Sequence, residues 1–196
     1  MQDDSSFLAQ IQEMLNQSML AYNTSPLAQL DNLSPADMHE ILYGTFGAKS
    51  PIGFKEILSE DTLGQLPFFN LFEEYLSILD EAKELKLTAK GNLPKKVCLT
   101  LYGKGIVKER AIEQGIVKLS KEEDSIILQN IKIIGNAAGV TKKRNNKLTI
   151  TKKGHTLREP QHRAELFKKI FITNAVRFNL GYHDGYPQKV GVQQTF

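Results

Sequence analysis

VTKKRNNKLTITKKG, residues 140–154, decides how the chain folds, because it reads as a β-hairpin. Asn145-Asn146 stands between two runs of β-prone residues, and asparagine tolerates the positive φ of a tight turn. Gly154 then ends the second run. An echo lies 61 residues upstream: KLTAKG (86–91) shares its opening with KLTITKKG (147–154). Each copy follows a long apolar stretch and closes on a glycine. The stretches between the copies do not match, so the echo reads as two strands of one sheet, with the first KLT pairing with the second. A third strand suits a hairpin, which is marginal alone.

Helical spacing dominates the rest. Before the hairpin, Ile126, Ile127, Leu128, Ile131, Ile133, Ile134 and Ala137 predict a helix over about 121–138, stopped by Gly139. Ser120 and Glu123 have the spacing of a capping box at its start. Residues 106–119 predict another helix, and Pro94 opens one over PKKVCLTLYG. Pro67 opens the strongest, FFNLFEEYLSILDEAKEL, whose Phe68, Phe69, Leu71, Phe72, Tyr75, Leu76, Ile78 and Leu79 form a broad apolar stripe. Ser59-Glu60-Asp61 caps a short helix, 44–54 reads as a loop, and Ser34-Pro35-Ala36-Asp37 reads as a helix start. Residues 7–22 place Phe7, Leu8, Ile11, Leu15, Met19 and Tyr22 at spacings of three and four, with burial in the chain's own core as the default. After Pro160, residues 162–180 predict a last amphipathic helix, followed by the aromatic loop GYHDGYP (181–187) and a tail.

From residue 67 the order is helix, strand, helix, helix, helix, hairpin. With one extra helix, over 106–119, this is the order of a winged helix. The expected fold is therefore α+β and mostly α. It has an N-terminal helical extension (1–62), a winged-helix-like core with a small antiparallel sheet (63–158), a C-terminal helix and aromatic loop packing on that core (159–187), and a tail (188–196).

Composition narrows the function classes. The 196 residues are 41% hydrophobic, enough for a core, and 24% charged. No apolar run nears the ~20 residues that span a bilayer. MQDDSSFLAQ lacks a basic signal region, and Cys98 is the single cysteine, so the expected location is cytoplasmic. The net charge of +3 hides a split. Residues 1–84 hold 14 acids and three bases, and residues 85–196 hold 22 bases and eight acids. This points either to an anionic partner for the second half or to attraction between the halves.

The hairpin and its flank concentrate the positive charge. Between 141 and 169 lie ten bases against Glu159 and Glu165. Lys142, Lys143, Arg144, Lys147, Lys152, Lys153 and Arg158 are the candidate nucleic-acid contacts, through phosphate. The helix before the hairpin offers Gln129, Asn130, Lys132 and Asn136 but no arginine, and is apolar around most of its circumference, so it suits a scaffold better than a groove reader. Catalysis finds little footing. His39, His155, His162 and His183 show no metal-ligand spacing, Cys98 falls on an apolar helix face, and Gly103-Lys104-Gly105 lacks the rest of a phosphate loop. No cofactor and no metal site is expected. The expected function is a non-enzymatic binding module, with DNA contacted through a basic wing. The alternative is a structural or protein-interaction domain, with the N-terminal helix as the surface for a partner or for self-association.

Three segments carry a resemblance: LSPADMHEILYGTFGAKSPIGFKE (33–56), LTAKGNLPKKVCLTLY (87–102) and FNLGYHDGYP (178–187). With their LSPxxMHxxLY, LTxxGxLPKK and FNxxYxDGYP motifs, they resemble a family of uncharacterised bacterial proteins over most of the chain. The LT-x-x-G-x-LP phrase is also similar to domains of unknown function that sometimes carry a C-terminal SEC-C zinc motif, which this chain lacks. The resemblance implies a bacterial, soluble protein and brings no functional residues with it.

Overall fold

The structure, a computed structural model, describes residues 3–179. The GYHDGYP loop and the expected tail lie outside the described residues. By internal contacts the described residues divide into two units, one up to Phe54 and the other from Lys55 onward.

The N-terminal unit holds α1 (Asp3–Thr24) and α2 (Pro35–Tyr43). Asp31 and Asn32, both at positive φ, turn the chain between them. Ser34 starts α2 through a full capping box: its hydroxyl accepts from the Asp37 amide at 3.0 Å, and Asp37 accepts from the Ser34 amide at 2.9 Å. Two ring contacts follow, His39 with Tyr43 and Phe46 with Phe54. Yet no apolar side chain of residues 6–54 is buried. The stripe expected to reach a core is exposed along all of α1.

The C-terminal unit is mostly helical around a small antiparallel sheet. Its helices are α3 (Glu60–Gly64), α4 (Pro67–Ala82), α5 (Lys95–Gly103), α6 (Arg110–Glu113), α7 (Ile126–Ala137), α8 (Lys152–Leu157) and α9 (Arg163–Ile172). The last continues into a π-helical turn, Thr173–Arg177. The strands are β1 (Leu85–Lys86), β2 (Thr141–Arg144) and β3 (Lys147–Ile150), in the order β1-β3-β2. One core serves the whole unit: Phe72, Tyr75 and Leu76 of α4, Leu101 of α5, Ile131 and Ile134 of α7, Leu148 of β3 and Leu166 of α9 are each at most 1% exposed. The helix after residue 159 thus shares the core of the sheet.

Local rules hold at the hairpin. Asn145 and Asn146 take φ of 49° and 58°, which fits a two-residue turn between strands. The echo pairs as two strands, but with a different overlap. Only Leu85 and Lys86 form β1, opposite Leu148 and Lys147. The Leu87 amide adds one bond to the Asn146 carbonyl, and Thr88 then turns the chain toward Asn92.

Three expected elements differ. Residues 106–119 are not a helix: α6 is one turn, because Gly105 and Gly115 sit at positive φ on either side of it. The helix expected from 121 starts at Ile126. Asp124, not Glu123, closes the preceding turn, accepting from the Ser120 hydroxyl and amide at 2.8 Å. Ser125 then caps α7 through the Leu128 amide. Gly154 does not end the hairpin in a loop. It lies inside α8, which Thr151 caps, and it is buried where a Cβ would stand 2.7 Å from the Ile150 Cγ2 and collide with the Val140 carbonyl.

Candidate functional site

Register sorts the hairpin bases by face. Along β2, Thr141 is buried opposite Ile150, and Lys143 lies opposite the buried Leu148, so 141 and 143 share the inner side. Lys142 and Arg144 take the outer side, opposite Thr149 and Lys147. β1 extends that side: Lys86 lies opposite Lys147. The outer face therefore carries one cross-strand row, Lys86, Lys147 and Arg144, with Lys142 beside it. Like charges directly opposite one another destabilise a sheet. Lys147 is relieved by Glu84 at 2.5 Å. Lys86, Lys142 and Arg144 are exposed and have no ion-pair partner among the described residues. An open hollow of about 640 Å³ on this part of the sheet is lined by Lys83, Glu84, Lys142, Arg144, Lys147 and Thr149, with Lys86 outside it.

The other candidates go elsewhere. Lys143 reaches over the 88–91 turn, with its ammonium against Gly91. Lys152 and Lys153 are exposed on α8. Lys153 and Arg177 lie near Lys169, whose ammonium is held below its usual range first by burial and then by those two charges. Arg158 is neutralised: its guanidinium pairs with Asp80 at 3.2 Å, and Asp80 also takes Lys83 at 3.3 Å. These contacts, the Arg158 hydrogen bond foremost, hold the Asp80 carboxyl below the usual carboxylate range. Arg163 is structural as well. It grips Glu73 through two bonds of 2.7 Å, pairs with Glu60 and covers the Phe69 ring. Lys86 was missing from the sequence candidates. The KLT echo places it in the sheet, but only the strand register sets it beside Lys147 on the outer face.

Helix α7 has its polar side chains engaged within the unit. Gln129 donates to the Glu123 carbonyl at 3.2 Å, and Asn136 accepts from the Thr141 hydroxyl at 2.9 Å. Lys132 pairs with the buried Glu122 at 2.5 Å and donates to the Gly91 carbonyl at 3.1 Å. Glu122 also accepts from the Leu93 amide at 2.5 Å. Even the positive end of α7 is filled, by the Glu109 carboxylate, which accepts from the Ile126 and Ile127 amides and the Ser125 hydroxyl. That explains the 106–119 segment: it delivers Glu109 to the start of α7, and the Tyr102 hydroxyl fixes it by accepting from the Glu109 amide at 2.9 Å.

The residues considered for catalysis stand apart. Cys98 is fully buried, and burial, with the Glu122 charge second, pushes its thiol up to about 11. His155 lies 3.8 Å from Asp80 and His162 lies 3.4 Å from Glu165, both at the surface. His183-Asp184 falls outside the described residues. Among the described residues, no three His, Cys, Asp or Glu side chains converge as metal ligands, and no helix is long and apolar enough to cross a membrane. No protein-family profile, curated protein or solved structure matches the chain.

Proposed function

We propose that the C-terminal unit is a winged-helix domain and a non-enzymatic binding module, and that its ligand is the phosphate backbone of duplex DNA. The β1-β3-β2 order with a hairpin after α7 supports the winged-helix reading. One observation carries the ligand: the cross-strand row Lys86–Lys147–Arg144, flanked by Lys142, lies on one exposed face of the sheet, where Lys142, Arg144 and Lys147 line an open hollow. A sheet that sets like charges side by side accepts a cost that a polyanion relieves. The engaged side chains of α7 favour contact with phosphates over base edges, so the binding is indifferent to sequence.

The test is a salt titration of binding to a mixed-sequence duplex. Micromolar binding is expected, with log K falling against log salt at a slope of about −2.7 to −3.6, one phosphate for each of three or four bases. Arg144→Glu with Lys86→Glu removes measurable binding, and Arg144→Ala alone flattens the slope by about 1. Absence of binding at low salt sinks the proposal.

A second reading, a protein-interaction module, rests on a different observation: the exposed apolar face of α1.

A further inference from the structure

We infer that α1 is a self-association helix whose apolar stripe packs against the same stripe of a second copy of this chain. The inference is independent of the DNA reading, since it concerns the other unit and another surface.

At 100° per residue, Met14, Phe7, Ile11, Tyr22, Leu15, Leu8 and Met19 fall within an arc of about 140° on α1. Their exposures run from 38% for Ile11 to 68% for Met14. Together these side chains present on the order of 800 Å² of apolar surface, the share one partner gives to a standard stable interface. Residues 6–54 bury no apolar side chain that could stabilise the unit instead. Most of the stability of a natural helix comes from packing its apolar face, and a small unit without a core is usually completed by association.

The chemistry of the flanks chooses the occupant. Helix α1 contains no basic residue, so neither an anionic membrane surface nor a nucleic acid fits it. The stripe is bordered by Gln10 and Gln17 on one side and Gln12 and Asn16 on the other, all uncharged. Gln12 bonds Asn16, and Gln17 bonds Glu13 on the far face, each at 3.0 Å. Between Phe7 and Tyr22 the stripe holds no charged residue, so over that length two copies can meet stripe to stripe with no like charges facing each other. A charged partner would find no complement there. A two-fold pairing of identical surfaces closes on itself and stops at the dimer.

Sedimentation equilibrium of the full chain over 1–100 µM tests this. The expected mass is twice that of the 22.0 kDa chain. Ile11→Glu with Leu15→Glu should raise the dissociation constant by at least about a hundredfold, because each charge would be buried unpaired. Both positions are exposed in the single chain, and unchanged protection of Cys98 from thiol reagents verifies that the C-terminal unit of the variant is intact. Leu15→Cys should form a disulfide-linked dimer on mild oxidation, and Gly53→Cys should not. A wild-type chain that is monomeric throughout, with the stripe then covered within its own molecule or by another protein, overturns the inference. So does a dimer that survives the double substitution, because its interface lies elsewhere.

Discussion

Helix α4 buries Phe69, Leu71, Phe72, Tyr75, Leu76 and Leu79, whereas α1 leaves Phe7, Leu8, Leu15 and Met19 more than half exposed. The two stripes have the same origin in sequence, apolar residues recurring every three or four positions. Periodicity states that a helix has a face to cover and which residues form it. It does not state what covers it. For α4 the answer lies in sequence-distant elements, α5, α7, β3 and α9, that converge on one core. For α1 there is no such set among the described residues, which is why the proposed second copy matters.

The comparison breaks most visibly with one leucine in each helix. Leu76→Ala should cost the C-terminal unit about 3–4 kcal/mol at any protein concentration, through lost transfer energy and a cavity in a closed core. Leu15→Ala should change that unit by less than about 0.5 kcal/mol and act only on the concentration dependence of association. Cys98 reads the difference. It is the single cysteine, it is buried, and its thiol is pushed up to about 11, so reagents label it only when the C-terminal unit opens. Urea dependence of the labelling rate in the two variants is the measurement. Equal shifts in both would erase the distinction between the stripes.

A pair of glycines sharpens the same contrast at a smaller scale. Gly154 packs against Val140 and Ile150, while a Cβ at Gly53 would meet nothing within 4 Å. Gly154→Ala should destabilise the C-terminal unit by about 2 kcal/mol, because the backbone of a packed core must move to admit one methyl group. Gly53→Ala should be neutral or stabilising by up to about 1 kcal/mol, by restricting the unfolded chain. Thermal unfolding midpoints separate the two outcomes.

What could be read in advance was local. Asn145-Asn146 marks its turn because the required φ belongs to those two residues, and Ser34-Pro35-Ala36-Asp37 marks a helix start because the capping bonds span three positions. Misreadings arose where a distant group decides. The apolar spacing of 106–119 suggests a helix, yet the segment is shaped by Gly105, by Gly115 and by the task of bringing Glu109 to α7. Thr151 ahead of Lys-Lys-Gly was a legible cap for α8, hidden by reading Gly154 as a stop. The candidate site was legible as charge but not as geometry. Strand register moves Lys143 to the inner side and recruits Lys86, and an ion pair from the end of α8 to α4 leaves Arg158 to Asp80.

The smallest effect tests whether the two units differ in packing alone. Asp37 and Asp124 do the same job in different surroundings: each carboxylate accepts from a serine amide and hydroxyl ahead of a helical turn. The serine amide bond is the main reason that each carboxyl is held below the usual carboxylate range. With the folded value depressed, the ionised form favours folding. The contribution is complete above the unfolded value and fades as pH falls through the lower folded one. Both α2 and the start of α7 should therefore lose protection below about pH 4. Asp37→Asn should flatten that dependence for α2 alone, and Asp124→Asn for the 120–128 segment alone. Hydrogen exchange read segment by segment from pH 2.5 to 5, corrected for intrinsic rates, makes the comparison. If α2 showed no acid dependence while α7 did, the N-terminal unit would differ from its neighbour in local structure as well as in its missing core.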